Sequence, residues 1–264
     1  MISLWQLENL GVKFVRRVFV AQRGLYIYCI ADIPVDNFSF GKGGIENEEE
    51  EIFTLNYRDI SAIVSGAEIK QYKPTRKNNF AHEINIEKIM KNGNVLPFRF
   101  GVVANNKGEI LKLLEEKYAS FKELLKTVNN RFEMGVKVSY PNLKDVLSFI
   151  GETHPVIMQL KKEKRNLIGN QNMIIDVGRI IEQELNEISL KYKDNIYSKL
   201  SSFATKSIIS ENLSNEMILN ASFLIEKNRE KDFDSLVGKL DEENEGKLNF
   251  AYAGPFPPYS FVKL

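Results

Sequence analysis

Along residues 24–140 the spacing of the hydrophobic positions changes several times, and each change marks an element. Residues 24–31 (GLYIYCIA) form a β-rich run, and residues 52–55 (IFTL) and 60–64 (ISAIV) read as two short strands of a hairpin, joined by Asn56-Tyr57-Arg58-Asp59. Residues 79–92 (NFAHEINIEKIMKN) switch to helical spacing, pairing Phe80 with Ile84 and Ile86 with Ile89 and Met90. Asn79 is the expected cap and Asn92-Gly93 the stop, and the apolar face is broad rather than a clean stripe. Residues 95–100 (VLPFRF) return to a strand in which Pro97, having no N–H to donate, must lie at an edge or a bulge. Residues 108–128 carry one helical stripe through Ile110, Leu113, Leu114, Tyr118, Phe121, Leu124 and Leu125. Residues 131–140 then alternate Phe132, Met134, Val136 and Val138 toward a core, and Pro141 closes the strand. This order predicts an antiparallel or mixed sheet with helices on one face, related to the ferredoxin-like arrangement.

The second half follows a different rhythm. Residues 142–205 read as almost wholly helical, with a stripe through Met173, Val177, Ile181, Leu185, Ile188, Tyr192, Ile196, Leu200 and Phe203 at spacings of three and four. Strands are expected at 206–209 and 217–226, a helix at 228–241 carrying Phe233, Leu236, Val237 and Leu240, and a last strand at 248–252. The long helix is expected to pack on this sheet rather than form a coiled coil, because strands follow it.

The fold class is therefore α+β with two mixed α/β-layer domains. Residues 1–23 form an N-terminal extension, in which 15–21 (VRRVFVA) fits a strand and the whole fits a short amphipathic helix. Residues 24–141 form a ferredoxin-like α+β domain. Residues 142–264 form a helix-rich α+β domain, with long helices, a small antiparallel sheet and an aromatic-proline tail.

Composition narrows the function. Lys and Arg total 36 against 35 Asp and Glu, so no positive field exists to concentrate nucleic acid. Basic residues at 13, 16, 17 and 23 interrupt any signal-peptide core, and no apolar run approaches the ~20 residues of a membrane span. The single cysteine, Cys29, lies inside an apolar run and is expected as a small buried hydrophobe in a reducing cytoplasm. The acidic run 46–51 is expected as a solvated loop, and Phe40-Gly41-Lys42-Gly43-Gly44 lacks the Gly-Lys-Ser/Thr ending of a phosphate cradle.

Catalytic chemistry is sparse. His82-Glu83 would need a second imidazole one turn on for a zinc helix, and that position is Ile86. His154 has no cysteine or histidine at metal spacing, so no metal or other cofactor is expected. Arg76, Arg99 and Arg131 would bind an anion only if the sheet brought them together, and pairing of these arginines with Glu83 or Glu133 is the more ordinary reading. No nucleophile with a matching base can be assembled, so an enzyme is not expected.

Several segments together resemble one family. They are Gly24-Leu-Tyr-Ile-Tyr-Cys-Ile30, Ile60-Ser-Ala-Ile-Val64, Ala81-His-Glu followed by Val95-Leu-Pro-Phe-Arg-Phe-Gly101, Glu133-Met-Gly-Val-Lys-Val138 and the ending Gly254-Pro-Phe-Pro-Pro-Tyr-Ser-Phe-Val262. In order and spacing, from about 24 to 262, they are similar to the gas vesicle protein L/F family. Phe256 stands where the family usually has Trp, which keeps the aromatic, and the first twenty or so residues lie outside the match. The resemblance implies a non-enzymatic minor protein of gas vesicle assembly, located at the vesicle within the cytoplasm. It also implies that the chain associates with the small hydrophobic shell protein and other accessory proteins. A ligand-sensing regulatory module remains the alternative, and it requires an apolar pocket with convergent Arg76, Arg99 or Arg131.

Two roles fit the tail. Pro255, Phe256, Pro257, Pro258, Tyr259 and Phe261 could present a stiff polyproline segment with aromatic anchors to a partner. The same residues could instead pack across the domain seam as a clasp. The clasp is favoured, because aromatics left in water would form a sizeable apolar patch.

Overall fold

Strand β1 (Arg23–Ala31) is buried along most of its length, and the first half of the chain is built around it. The computed structural model describes residues 22–163 and 171–264, so the strand or helix expected within 1–21 lies outside the described residues. The strands β2 (Ser39–Lys42), β3 (Glu51–Tyr57), β4 (Ile60–Glu68), β5 (Val95–Pro97) and β6 (Val103–Ala104) complete a six-stranded antiparallel sheet. Its order is β2-β3-β4-β1-β5, with β6 also on β1. Pro97 ends the edge strand β5, where its missing N–H costs no ladder bond.

A register shift between Ile27 and Cys29 reverses the phase of β1. Tyr26, Tyr28, Cys29 and Ala31 therefore share one core, while Ile27 and Ile30 enter another. The helix α1 (Arg76–Met90) covers the first of these faces through Ile86 and Ile89. The helices α2 (Lys107–Glu116) and α3 (Tyr118–Val128) cover the second through Ile110, Leu114, Phe121 and Leu125. The expectation of helices on one face is thus corrected. Two-sided burial is why β1 and β4 read as nearly continuous apolar runs rather than as alternating ones.

Local boundaries follow side-chain chemistry. α1 starts earlier than expected because Thr75, not Asn79, is its cap: the Asn78 N–H donates to Thr75 Oγ1 at 3.2 Å. Its broad apolar face also resolves, since Ile86 and Ile89 are buried while Phe80 and Ile84 are exposed. The helix expected over 108–128 is two helices meeting at Lys117, whose φ of −102° and ψ of 7° leave the helical region. Part of the glycine-bearing stretch is the edge strand β2, with Phe40 in the core. In the acidic run each of Glu46, Glu48, Glu49 and Glu50 meets a cation, Lys70, Lys77, Lys42 and Arg23 respectively, at 2.5 to 3.0 Å.

The strand β7 (Arg131–Ser139), expected in the first sheet, instead lies inside the second. It pairs with β9 (Met217–Glu226) on one side and β10 (Asn249–Phe256) on the other. β8 (Lys206–Ile209) pairs with β9 and completes the antiparallel order β10-β7-β9-β8. Long-range pairing with β9 over nine registered positions, invisible in local spacing, decides which sheet β7 joins.

Between β7 and β8 run α4 (Leu143–Thr153), α5 (Pro155–Glu163) and α6 (Gln171–Ser201), and α7 (Glu230–Glu243) lies between β9 and β10. Counting α4 to α6 as one helical connection, residues 131–256 follow the strand–helix–strand–strand–helix–strand order of the ferredoxin-like arrangement. The helical stretch breaks at His154, which Pro155 forces to an extended ψ of 123°. The C-terminal part of the stripe on α6 does what its spacing predicts: Leu185, Tyr192, Ile196 and Leu200, with Phe203 beyond the helix end, pack on one face of the second sheet beside Phe233, Val237 and Leu240 of α7. Val177, Ile181 and Ile188 stay outside that core, and the Met173 side chain lies outside the described residues.

Candidate functional site

The tail folds back between the two sheets. Gly254 has a φ of +141°, and a Cβ there would lie 2.6 Å from Met134 Sδ, so only glycine fits where the tail leaves the ladder. The register of β10 against β7 is regular up to Ala253 and irregular before Phe256, the interruption that Pro255 requires. Pro257 and Pro258 are buried, and a 3-10 turn over Tyr259–Phe261 follows.

Ser260 ties this turn to the second sheet. Its N–H donates to Glu133 Oε2 at 2.8 Å, its hydroxyl donates to Glu133 Oε1 at 2.6 Å, and its oxygen lies 3.1 Å from Ser222 Oγ. Glu133 is buried, and these bonds compensate its charge in a site where an unpaired carboxylate would be costly. Two residues on, Val262 enters the core of the first sheet beside the α2 and α3 side chains. The three residues 260–262 therefore touch both sheets.

The six tail residues singled out from sequence divide. The prolines at 257 and 258 are buried and Phe261 is half-buried, whereas Pro255 is exposed and Phe256 and Tyr259 stay 37% and 36% exposed. The Tyr259 hydroxyl is nevertheless desolvated enough to push its pKa well above the usual range. Ser260 and Glu133 were missed, because a serine among aromatics and a glutamate on an alternating strand carry no local signal of their partnership across 127 positions.

His82 occupies a closed polar network rather than a reactive site. A carbonyl oxygen only accepts, so at 3.1 Å the His82 Nε2–H donates to Phe98 O. Nδ1 is then bare and accepts the Tyr26 O–H at 2.9 Å, while Tyr26 Oη accepts the Gly101 N–H at 2.9 Å. Tyr28 stacks on the imidazole at 5.9 Å and Phe100 meets it edge-on at 5.8 Å. Burial pushes the His82 pKa down to about 4, the bond to Phe98 opposing only in part, so the ring is neutral near pH 7. One histidine on α1 thus holds both ends of the Phe98–Gly101 turn that follows β5.

The remaining candidates do not converge. Arg76 opens α1, Arg99 lies in the turn after β5, and Arg131 on β7 is paired with Glu226 at 3.5 Å and donates to Thr127 O at 2.7 Å. The partners expected for Arg131, Glu83 or Glu133, are thereby corrected: β7 lies in the other sheet, and Glu133 is taken by Ser260. A mostly apolar cleft of about 560 Å3 between α4 and α6 is lined by Tyr140, Val146, Phe149, Ile188 and Tyr192, and no arginine enters it. Cys29 is fully buried, which pushes its thiol far above the usual range. Among the described residues, no cluster of three or more His, Cys, Asp or Glu could hold a metal ion, and no helix is long and apolar enough to cross a membrane.

Comparison with known proteins adds a lineage to this geometry. The family model described as gas vesicle synthesis protein GvpL/GvpF matches residues 24–263. Gas vesicle protein F of Microcystis aeruginosa is 28% identical over 251 residues, covering 91% of this chain and 98% of that protein. Gas vesicle protein F of Nostoc sp. is 26% identical over 248 residues, again covering 91% and 98%. The crystal structure of GvpF from Anabaena sp. superposes with a TM-score of 0.82 at 25% identity, covering 91% of this chain and 98% of that one. The GvpF structure from Microcystis aeruginosa gives 0.76 at 26% identity, covering 91% and 99%.

Proposed function

The chain belongs to the gas vesicle synthesis protein GvpL/GvpF family, and from that membership we propose that it is a non-enzymatic accessory protein of gas vesicle assembly. In this reading it works in the cytoplasm at the growing vesicle and binds the small hydrophobic shell protein together with other accessory proteins. The observation that carries a binding rather than a catalytic role is the tail, which touches both sheets.

The tail has two parts in this proposal. Pro257, Pro258, Ser260 and Val262 act as a clasp holding the sheets in one relative position, since all are at least partly buried and the last two engage different sheets. Phe256 and Tyr259 act as the partner-facing residues. A large aromatic more than a third exposed on a stiff segment loses little entropy on binding.

The test is a pull-down of the purified protein against the shell protein, with circular dichroism on every variant. The double variant Phe256→Ala/Tyr259→Ala should keep its fold and lose the shell protein. A chain ending at Ala253 should lose cooperative unfolding as well as binding. If the full-length protein never captures the shell protein or any accessory protein, the assembly-partner reading is wrong.

A further inference from the structure

Each of the two sheets ends in edge strands, and these differ in how they are protected. On the first sheet, β2 is four residues long, irregular between Ser39 and Gly41, and ends on Lys42, while β5 has three residues and ends on Pro97. On the second, β8 has four residues and begins with Lys206. Short length, lysine, proline and irregular register are the means by which proteins keep an edge from recruiting another strand.

β10 departs from this. Asn249–Phe256 is eight residues long, carries no charge, and among the described residues pairs with β7 alone. Its register is unbroken from Asn249 to Ala253, and its proline comes only after that stretch. Phe250 and Tyr252 are half-buried toward the α7 side, where Tyr252 packs on Phe233 and its hydroxyl donates to Asp234. Asn249, Ala251 and Ala253 are exposed on the opposite face, where small side chains leave the edge flat.

The stretch is also complementary to itself. Laid antiparallel on a second copy with Ala251 on the two-fold axis, Asn249 faces Ala253 of the other copy and Phe250 faces its Tyr252. No like charges meet, and two aromatic pairs form on the helix-covered face, the kind of cross-strand pair that stabilises a ladder. We infer that the outer edge of β10, over residues 249–253, is an interaction surface for a second copy of this chain. Pairing there joins two four-stranded sheets into one continuous eight-stranded sheet with the helices of both copies on one side.

The test uses the full-length chain. Sedimentation across a concentration series should give a monomer–dimer equilibrium. Ala251→Lys, which sets two ammonium groups opposite one another at the axis, should raise the dimer dissociation constant about tenfold or more. Because Ala251 is exposed, that variant should leave the circular dichroism and the melting temperature unchanged. In the Ala251→Cys variant the two introduced thiols face each other within reach of a disulfide, so mild oxidation should give a covalent dimer. The native Cys29 is buried and adds no background, and Leu213→Cys, exposed in the loop after the opposite edge, should stay monomeric. A chain that sediments as a monomer at every concentration, or an Ala251→Cys variant that crosslinks no better than Leu213→Cys, overturns the inference.

Discussion

The first sheet is covered on both faces by helices that follow its own strands. The second has helices on one face and takes part of its other covering from the C-terminal tail. The first sheet's interior polar groups are satisfied locally, His82 by the Phe98 carbonyl and the Tyr26 hydroxyl. The second sheet's buried carboxylate, Glu133, is satisfied by a residue 127 positions away. A sheet closed by its own helices can be stable without the rest of the chain, whereas one closed by a tail is only as stable as the tail's attachment.

This contrast is broken most severely by ending the chain at Ala253. Loss of the Val262 burial and of the Ser260 bonds should cost roughly 5 kcal/mol in total. Hydrogen exchange should show β7 to β10 losing the most protection, with β1 to β4 losing only the smaller part that Val262 supplies; equal loss in both sheets would mean that the first depends on the tail as much as the second.

Acid should act on the other sheet. The unfolded His82 titrates at its ordinary 6.5, whereas the folded one is held down to about 4. Below pH 6.5 the unfolded chain therefore gains a proton that the folded chain refuses until about pH 4. The contribution is fully present above 6.5, is lost as pH falls between the two values, and then levels off. It amounts to on the order of 3 kcal/mol. Denaturant melts at stepped pH should show that decline in the wild type and a flatter profile in His82→Gln, with the first sheet's amides exchanging first.

Smaller changes sharpen the same distinction. Tyr26→Phe leaves the Gly101 N–H and His82 Nδ1 without partners and should cost about 2 kcal/mol in chemical denaturation, felt in the first sheet. Ser260→Ala removes one hydroxyl from Glu133 but keeps the backbone N–H, so a loss of about 1 kcal/mol is expected, confined to the second sheet.

Much of this arrangement was legible in local pattern. The helix stripe on 171–201 names Ile196 and Leu200, which are buried, and the inward alternation of 131–140 names Phe132, Met134, Val136 and Val138, which share one core. The edge position of Pro97 follows from a missing N–H alone. Other features were not legible. The spacing of β7 is the same whichever sheet it joins, so its membership waited on β9. His82 on α1 gives no sign that Phe98 and Tyr26 will surround it, because those partners come from the turn after β5 and from β1. The tail's prolines and aromatics look equivalent as a string, yet Pro257 and Pro258 are buried while Phe256 and Tyr259 remain at the surface.

The sequence by itself determined the α+β class, the identity of the core-facing residues within most elements, and membership of a family through motifs in order. These depend on spacing and residue type, which are properties of the chain before it folds. The tertiary structure alone decided that helices cover both faces of the first sheet, that Ser260 answers Glu133, that His82 is neutral and holds a turn, and that β10 ends its sheet among the described residues. Each of these depends on which distant segments become neighbours, and neighbours set burial, hydrogen-bond partners and local dielectric.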